Sequence, residues 1–200
     1  MKANPDVAKI RYANTEGIPA CREPVTTEPK GEVWLISRTI RQLLSLKRTM
    51  EFAAYITGFA DGEGSFSVSF NRRSKLRIGV EVRPSFAIAQ NAASRATLEK
   101  IREYFGCGGI RFSARDRTYK YEVRSIQDLM KTIIPHFDKF PLQTAKSHDF
   151  ANFKIICQMV SQNRHLNREY LTEIIDLAFE MNPSGKRRYN KGELLKFVTR

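Results

Sequence analysis

Apolar positions Phe52, Tyr55, Ile56 and Phe59 recur at helical spacing, which predicts a helix with one stripe turned to a core. A second stripe on the same helix, Ala54, Gly58 and Gly62, carries almost no side chain. Glycine inside a helix costs about 1 kcal/mol against alanine, so such a stripe is kept mainly where another backbone comes very close. Past residue 64 the period drops to two. Phe66, Val68 and Phe70 alternate with Ser65, Ser67, Ser69 and Asn71, the pattern of a half-buried strand. Arg72-Arg73-Ser74-Lys75 reads as a polar turn. A long strand is expected from Leu76 to about Gln90, with Ile78, Val80 and Val82 against Arg77, Glu81 and Arg83 and a bend or bulge at Pro84.

An amphipathic helix with Leu98, Ile101, Tyr104 and Phe105 follows over 94–105 and stops at Gly106-Cys107-Gly108-Gly109. Two more strands come next. In the first, Ile110, Phe112 and Ala114 alternate with Arg111, Ser113 and Arg115; in the second, Tyr119, Tyr121 and Val123 alternate with Lys120, Glu122 and Arg124. Helical patterns then cover 125–137, 144–161 and 167–181, with Asn167 as an N-cap, and a short helix covers 192–198. Upstream, residues 1 to about 32 hold Pro5, Pro19 and Pro24 and read as a flexible arm. Residues 34–48 read as a helix with Ile36, Ile40, Leu43 and Leu44 on one side, expected to pack on the domain, with contact to a phosphate backbone as the alternative. The expected division is an extension over 1–49 and a domain over 50–200.

Charge narrows the function classes. Thirty-four Lys and Arg against twenty-one Asp and Glu give a net charge of +13, which suits a polyanionic partner. Cys21, Cys107 and Cys157 form no CxxC pair, and with His136, His148 and His165 they make no zinc pattern. The cysteines point to a reducing compartment, an organelle or a prokaryotic cytoplasm. No apolar run reaches membrane-spanning length, and no membrane partner is expected.

Ile56-Thr57-Gly58-Phe59-Ala60-Asp61-Gly62-Glu63-Gly64 resembles, position by position, the signature of the LAGLIDADG homing endonucleases. Ile replaces the first Leu of the signature and Glu replaces its last acid. The resemblance extends from about residue 50 to the C-terminus. It implies an α+β protein of αββαββα order, with a four-stranded antiparallel DNA-binding sheet and packed helices. The chain holds one copy of the signature, and family members with one copy are homodimers. The resemblance therefore places Ala54, Thr57, Gly58, Asp61 and Gly62 at a dimer interface. It implies a site-specific, intron-encoded double-strand endonuclease that cuts a long near-palindromic target with Mg2+, or Mn2+ in its place.

Site residues carry over one by one. Glu63 takes the position of the metal-binding acid, and the Gly62 carbonyl is expected to help it. Asp61 is expected to stabilise the signature helices. Gln90, at a strand end, takes the position of a residue that orients the attacking water. Lys146, in Pro141-Leu142-Gln143-Thr144-Ala145-Lys146, takes that of a lysine near the scissile phosphate, with Lys139 as fallback and Arg95 as a further cation. Ser65, Ser67, Ser69, Asn71, Arg77, Arg83, Arg111, Ser113, Arg115, Lys120, Glu122 and Arg124 form a polar sheet face for the major groove. Arg72, Arg73 and Lys75 form its outlying turn, and Lys186, Arg187 and Arg188 a loop for phosphates. Two rivals share the fold: an RNA-binding intron maturase, with intron RNA as partner, and a DNA-binding protein that does not cut.

Overall fold

Helix α1 (Glu32–Glu63) merges the helix expected over 34–48 with the signature helix. The computed structural model describes residues 32–182, 185 and 187–198, so the expected arm and Lys186 lie outside the described residues. The chain divides into two units, Met1–Leu44 and Ser45–Arg200. In the first, Ile36, Ile40, Leu43 and Leu44 are exposed rather than packed.

In the second unit α1 buries Ala53, Ile56, Thr57 and Ala60. The expected stripe is buried in part: Ile56 is fully buried, and Phe52 and Phe59 are half-buried against the core. Tyr55 is 48% exposed, and Phe52, Tyr55 and Phe59 stack along the flank with centroids 5.8 and 5.7 Å apart. Small residues let the helix axis lie close to the body, and the rings are displaced to its side. At Gly64 the chain turns from helix into strand, and a Cβ there would stand 2.6 Å from the Ala60 carbonyl oxygen, so the turn requires glycine.

Strands β1 (Gly64–Arg72), β2 (Val80–Asn91), β3 (Gly109–Ser113) and β4 (Thr118–Val123) form one antiparallel sheet in the order β1-β2-β4-β3. The long strand starts at Val80, not Leu76. Residues 73–79 instead close a turn in which the Arg73 amide donates to the Gly79 carbonyl at 2.8 Å, and Gly79 takes φ +77°. Pro84 makes no bulge, since β1 and β2 stay in register from Gly64↔Ile88 to Arg72↔Val80. It is tolerated because β4 pairs with β2 only from Phe86 onward, so no β4 partner lies opposite it.

The described helices are completed by α2 (Arg95–Phe105), α3 (Ile126–Asp128), α4 (Ile134–Lys139), α5 (Lys146–Ser161), α6 (Arg168–Glu180) and α7 (Lys191–Val198), with short 3-10 turns at Ala92–Ser94 and Arg164–Leu166. A π-helical turn, Leu129–Ile133, joins α3 to α4 just ahead of Pro135. Gly106 at φ +64° closes α2, and the Asn167 side chain accepts from the Glu169 amide, as its N-cap position predicts. One face of the sheet meets these helices through an aromatic centre. Phe66 lies 5.1 Å from Phe86 and 5.3 Å from Phe137 and Phe153, with all four fully buried. The other face is left for the polar residues of the alternation.

Candidate functional site

The C-terminal end of α1 gathers the groups with catalytic potential. Asp61 accepts from the Gln143 amide at 2.6 Å, the Thr144 hydroxyl at 2.7 Å and the Thr144 amide at 3.4 Å. Burial works to raise its pKa. The Thr144 hydroxyl, the two amides and the Lys146 charge outweigh burial, and the net shift is downward. Asp61 thus ties the segment between α4 and α5 to the helix end, and this delivers Lys146. Its Nζ donates to the Ala60 carbonyl at 2.9 Å and the Gly62 carbonyl at 3.4 Å. Burial pulls the Lys146 pKa down, against Asp61, Glu63 and Asp149, which favour the charged form. Glu63 is exposed as the last residue of α1.

Glu63, the Gly62 carbonyl, Asp61 and Lys146 therefore share one helix end. Gln90 is placed differently. It is half-buried near the end of β2, in the cross-strand row Gln90–Tyr119–Phe112. By alternation that row lies on the helix-covered side of the sheet, with Phe86 and Ile88, at its uncovered rim where Phe112 is exposed. The Arg95 guanidinium stacks 4.9 Å over the Tyr119 ring and pairs with Glu99 at 2.9 Å. Lys139 is exposed, with its ammonium 5.5 Å over the Phe140 ring.

No group of three or more His, Cys, Asp or Glu among the described residues could cage a metal. A hard divalent cation that keeps its waters needs only one or two carboxylates and a carbonyl oxygen. Glu63 with the Gly62 carbonyl fits that demand as part of a site.

On the interface stripe, Ala54, Gly58 and Gly62 are exposed, and a Cβ at either glycine would meet nothing within 4 Å. Nothing among the described residues demands these glycines. Thr57 departs from the expectation. It is buried inside the chain, donating to the Phe140 carbonyl at 3.2 Å and lying 3.2 Å from His136 Nε2.

The polar sheet face is present but is not uniformly free. Ser65 and Ser69 are exposed, Ser67 bonds Ser85 at 3.0 Å, and Asn71 pairs with Glu81 across the strands. Arg73 and Arg83 approach Glu81 at 2.8 and 3.0 Å, and Lys75 is exposed in the turn. The alternation already put Glu81 on one face with Arg83; what it did not carry is that Glu81 draws both Arg73 and Arg83 to itself. Ser113 donates to Asp116 at 3.1 Å, and Arg115 is exposed in the following turn.

Four of the residues expected to meet DNA, from the face, its turn and the basic loop, are engaged inside the chain instead. Arg72 falls in phase with Phe66 and Phe70, and its guanidinium lies 5.1 Å over the Phe197 ring of α7. Arg77 belongs to the turn and donates to the Leu166 carbonyl at 3.3 Å. Glu122 is only 8% exposed, enclosed by Arg111, Lys120 and Arg124. Arg187 donates to the Ala178 and Met181 carbonyls at the end of α6 and stacks 4.5 Å over Phe179, so it caps a helix, while Arg188 is exposed. In each case a nearer partner inside the chain takes the charge.

Residues 56–157 match the family model described as LAGLIDADG endonuclease. A "Probable intron-encoded endonuclease 2" of Neurospora crassa is 38% identical over 130 residues, covering 64% of this chain and 29% of that protein. The chain thus spans less than a third of that curated relative's length. Among solved structures, the homing endonuclease I-TnaI superposes with a TM-score of 0.65 at 33% identity over 74% of this chain and 95% of its own. The archaeal intron-encoded homing endonuclease I-Vdi141I, complexed with DNA, gives 0.68 at 32% identity over 74% and 94%.

Proposed function

Since the chain belongs to the LAGLIDADG endonuclease family, we propose that it is a site-specific homing endonuclease that hydrolyses both strands of a long near-palindromic DNA target. We read it as intron-encoded, as the Neurospora crassa relative is by its name. The observation that carries this reading is the end of α1. There an exposed Glu63 carboxylate, the Gly62 carbonyl and the Lys146 ammonium lie together beside the first strand of a basic sheet.

The Glu63 carboxylate and the Gly62 carbonyl would hold Mg2+, with Mn2+ as a substitute. When bound, the cation supplies charge neutralisation at the phosphate and lowers the pKa of water. The residues of the chain do the rest. Lys146 holds a positive charge where negative charge develops on the phosphate oxygens. Gln90 orients water from the sheet rim. The polar face of β1, β2, β3 and β4 seats duplex DNA through its unburied Ser and Arg side chains. A single chain has one Glu63, so cutting both strands calls for a second copy. The Ala54, Gly58 and Gly62 stripe supports close helix pairing about a two-fold axis.

The test is incubation with a randomised duplex library in Mg2+ or in EDTA, followed by sequencing of the ends. Discrete metal-dependent breaks at one near-palindromic site are expected, and Glu63→Gln should bind that site without cutting it. Normal cutting by Glu63→Gln would remove the metal role from Glu63. Binding by the wild type with no cuts in either condition would replace the nuclease with one of the two non-cleaving rivals.

A further inference from the structure

On the polar face one carboxylate is treated unlike its neighbours. Glu122 sits in the cross-strand row Ala87–Glu122–Gly109, between the two smallest side-chain types. Small neighbours leave a slot in the sheet surface, and the Glu122 side chain fills it with 6% exposure. Three cations close over it. Arg111 NH2 contacts Oε2, Arg124 Nε stands 2.9 Å from Oε2, and Lys120 Nζ stands 3.3 Å from Oε1. Strand geometry explains the set. Lys120, Glu122 and Arg124 share a face at spacing two, and Arg111 pairs directly with Lys120, hence diagonally with Glu122. The three cations stay about half exposed themselves, at 59%, 43% and 53% for Arg111, Lys120 and Arg124.

We propose that Glu122 is a positioning residue for base readout: it touches no DNA, and it holds Arg111, Arg124 and Lys120 in fixed directions from behind. An unpinned arginine on a flexible stem can swing to the nearest phosphate, which adds affinity and carries no sequence information. A guanidinium held on one edge keeps its other N–H donors aimed outward, as bidentate contact to guanine requires. The buried negative charge also lowers the net charge that the cluster offers to phosphates. The direction of the Glu122 pKa agrees with this arrangement: burial raises it, and the charges of Lys120, Arg124 and Arg111 bring it below the ordinary range.

This inference rests on the DNA-binding part of the proposed function, and the experiment separates the two. Full-length wild type, Glu122→Gln, Glu122→Asp and Arg124→Lys are each used in two assays. The first is affinity for a random-sequence duplex across a salt series. The second is selection from a randomised duplex library, with folding checked by circular dichroism. Glu122→Gln should bind the random duplex more tightly, with a log–log salt slope steeper by about one unit. It should also lose sequence preference at one symmetric pair of positions. Glu122→Asp should restore part of that preference. Arg124→Lys keeps the charge and loses the fork, so it should blur the same positions with no change in slope, and it serves if Glu122→Gln does not fold. An unchanged slope with an unchanged preference in folded Glu122→Gln overturns the inference, as does an unchanged preference in Arg124→Lys. Failure of the wild type to bind duplex DNA at any salt overturns the DNA-binding reading itself.

Discussion

Lys146 Nζ donates to the Ala60 carbonyl at 2.9 Å, so an ammonium group closes the C-terminal end of the helix that carries Asp61 and Glu63. Free carbonyls make a helix C-terminus electronegative, and a cation there is stabilising. The same ammonium reaches the Gly62 carbonyl at 3.4 Å, the oxygen assigned to the metal in the proposed function. Lys146 thus joins helix capping to the reacting end of the molecule.

A substitution separates these roles. Lys146→Met should lower the single-turnover cleavage rate by about a hundredfold or more, the scale of losing one group that stabilises developing charge. Duplex binding should change little, because the sheet face is untouched. Lys146→Arg keeps the charge and should retain part of the rate. Cleavage by Lys146→Met at the wild-type rate would reduce Lys146 to a helix cap.

Asp61 is a pH-dependent tie. Its folded pKa lies below the ordinary 3.8. The unfolded chain therefore takes up this proton first as the medium is acidified. The contribution to stability is complete above 3.8 and fades as the pH falls through the lower folded value. Asp61→Asn removes the charged acceptor from two amides and a hydroxyl, at a cost of about 1–2 kcal/mol. Urea midpoints at neutral pH should drop accordingly, and the gap between wild type and variant should narrow at pH 3. An equal gap at both pH values would show that Asp61 contributes by shape, not charge.

How much of this was legible in the sequence depends on the range of the interaction. The alternation of Phe66, Val68 and Phe70, the stop at Gly106 and the cap at Asn167 are local, and each element appears where its pattern puts it. Three features turned on contacts and backbone geometry that a hydrophobic period does not carry. The buried stripe of α1 was decided by what packs against it, so Ala53 and Ala60 went inward and Tyr55 outward. The turn over 73–79 depended on Gly79 at positive φ, which interrupts a run whose hydrophobic period reads as strand. The pinning of Glu122 by neighbours on its own and the adjacent strand, and the capping of α6 by Arg187, engage charges that a charge count treats as free.

His136 gives a second pH prediction, of a different origin. It is 6% exposed, between Thr57 on Nε2 at 3.2 Å and Tyr104 on Nδ1 at 3.1 Å, and burial lowers its pKa from 6.5 to about 4. The unfolded chain binds this proton below 6.5, and the folded chain does so only near 4. Its contribution is therefore intact above 6.5 and shrinks as the pH falls toward 4, by at most about 3 kcal/mol. The His136 ring resonances should not titrate between pH 8 and 5 while the fold persists. Titration near 6.5 would mean that the ring reaches water.

Gly58 should separate the needs of one chain from those of a pair. A Cβ at Gly58 would meet nothing within 4 Å among the described residues. Replacing glycine by alanine in a helix interior contributes about 0.5–1 kcal/mol through propensity alone. Considered as a single chain, the protein should therefore gain stability from Gly58→Ala, and Gly58→Leu should fold as well. Considered as a homodimer paired through the Ala54, Gly58 and Gly62 stripe, it should lose association when Leu holds the two helices apart. The two expectations have opposite signs and are read by two measurements, thermal melting for the fold and sedimentation for the association. A Gly58→Leu protein that melts like wild type and sediments as a monomer, beside a dimeric wild type, would place the interface on this stripe. A Gly58→Leu protein as dimeric as wild type would move the two-fold axis elsewhere, and the glycines would then have no packing reason on either side of the helix.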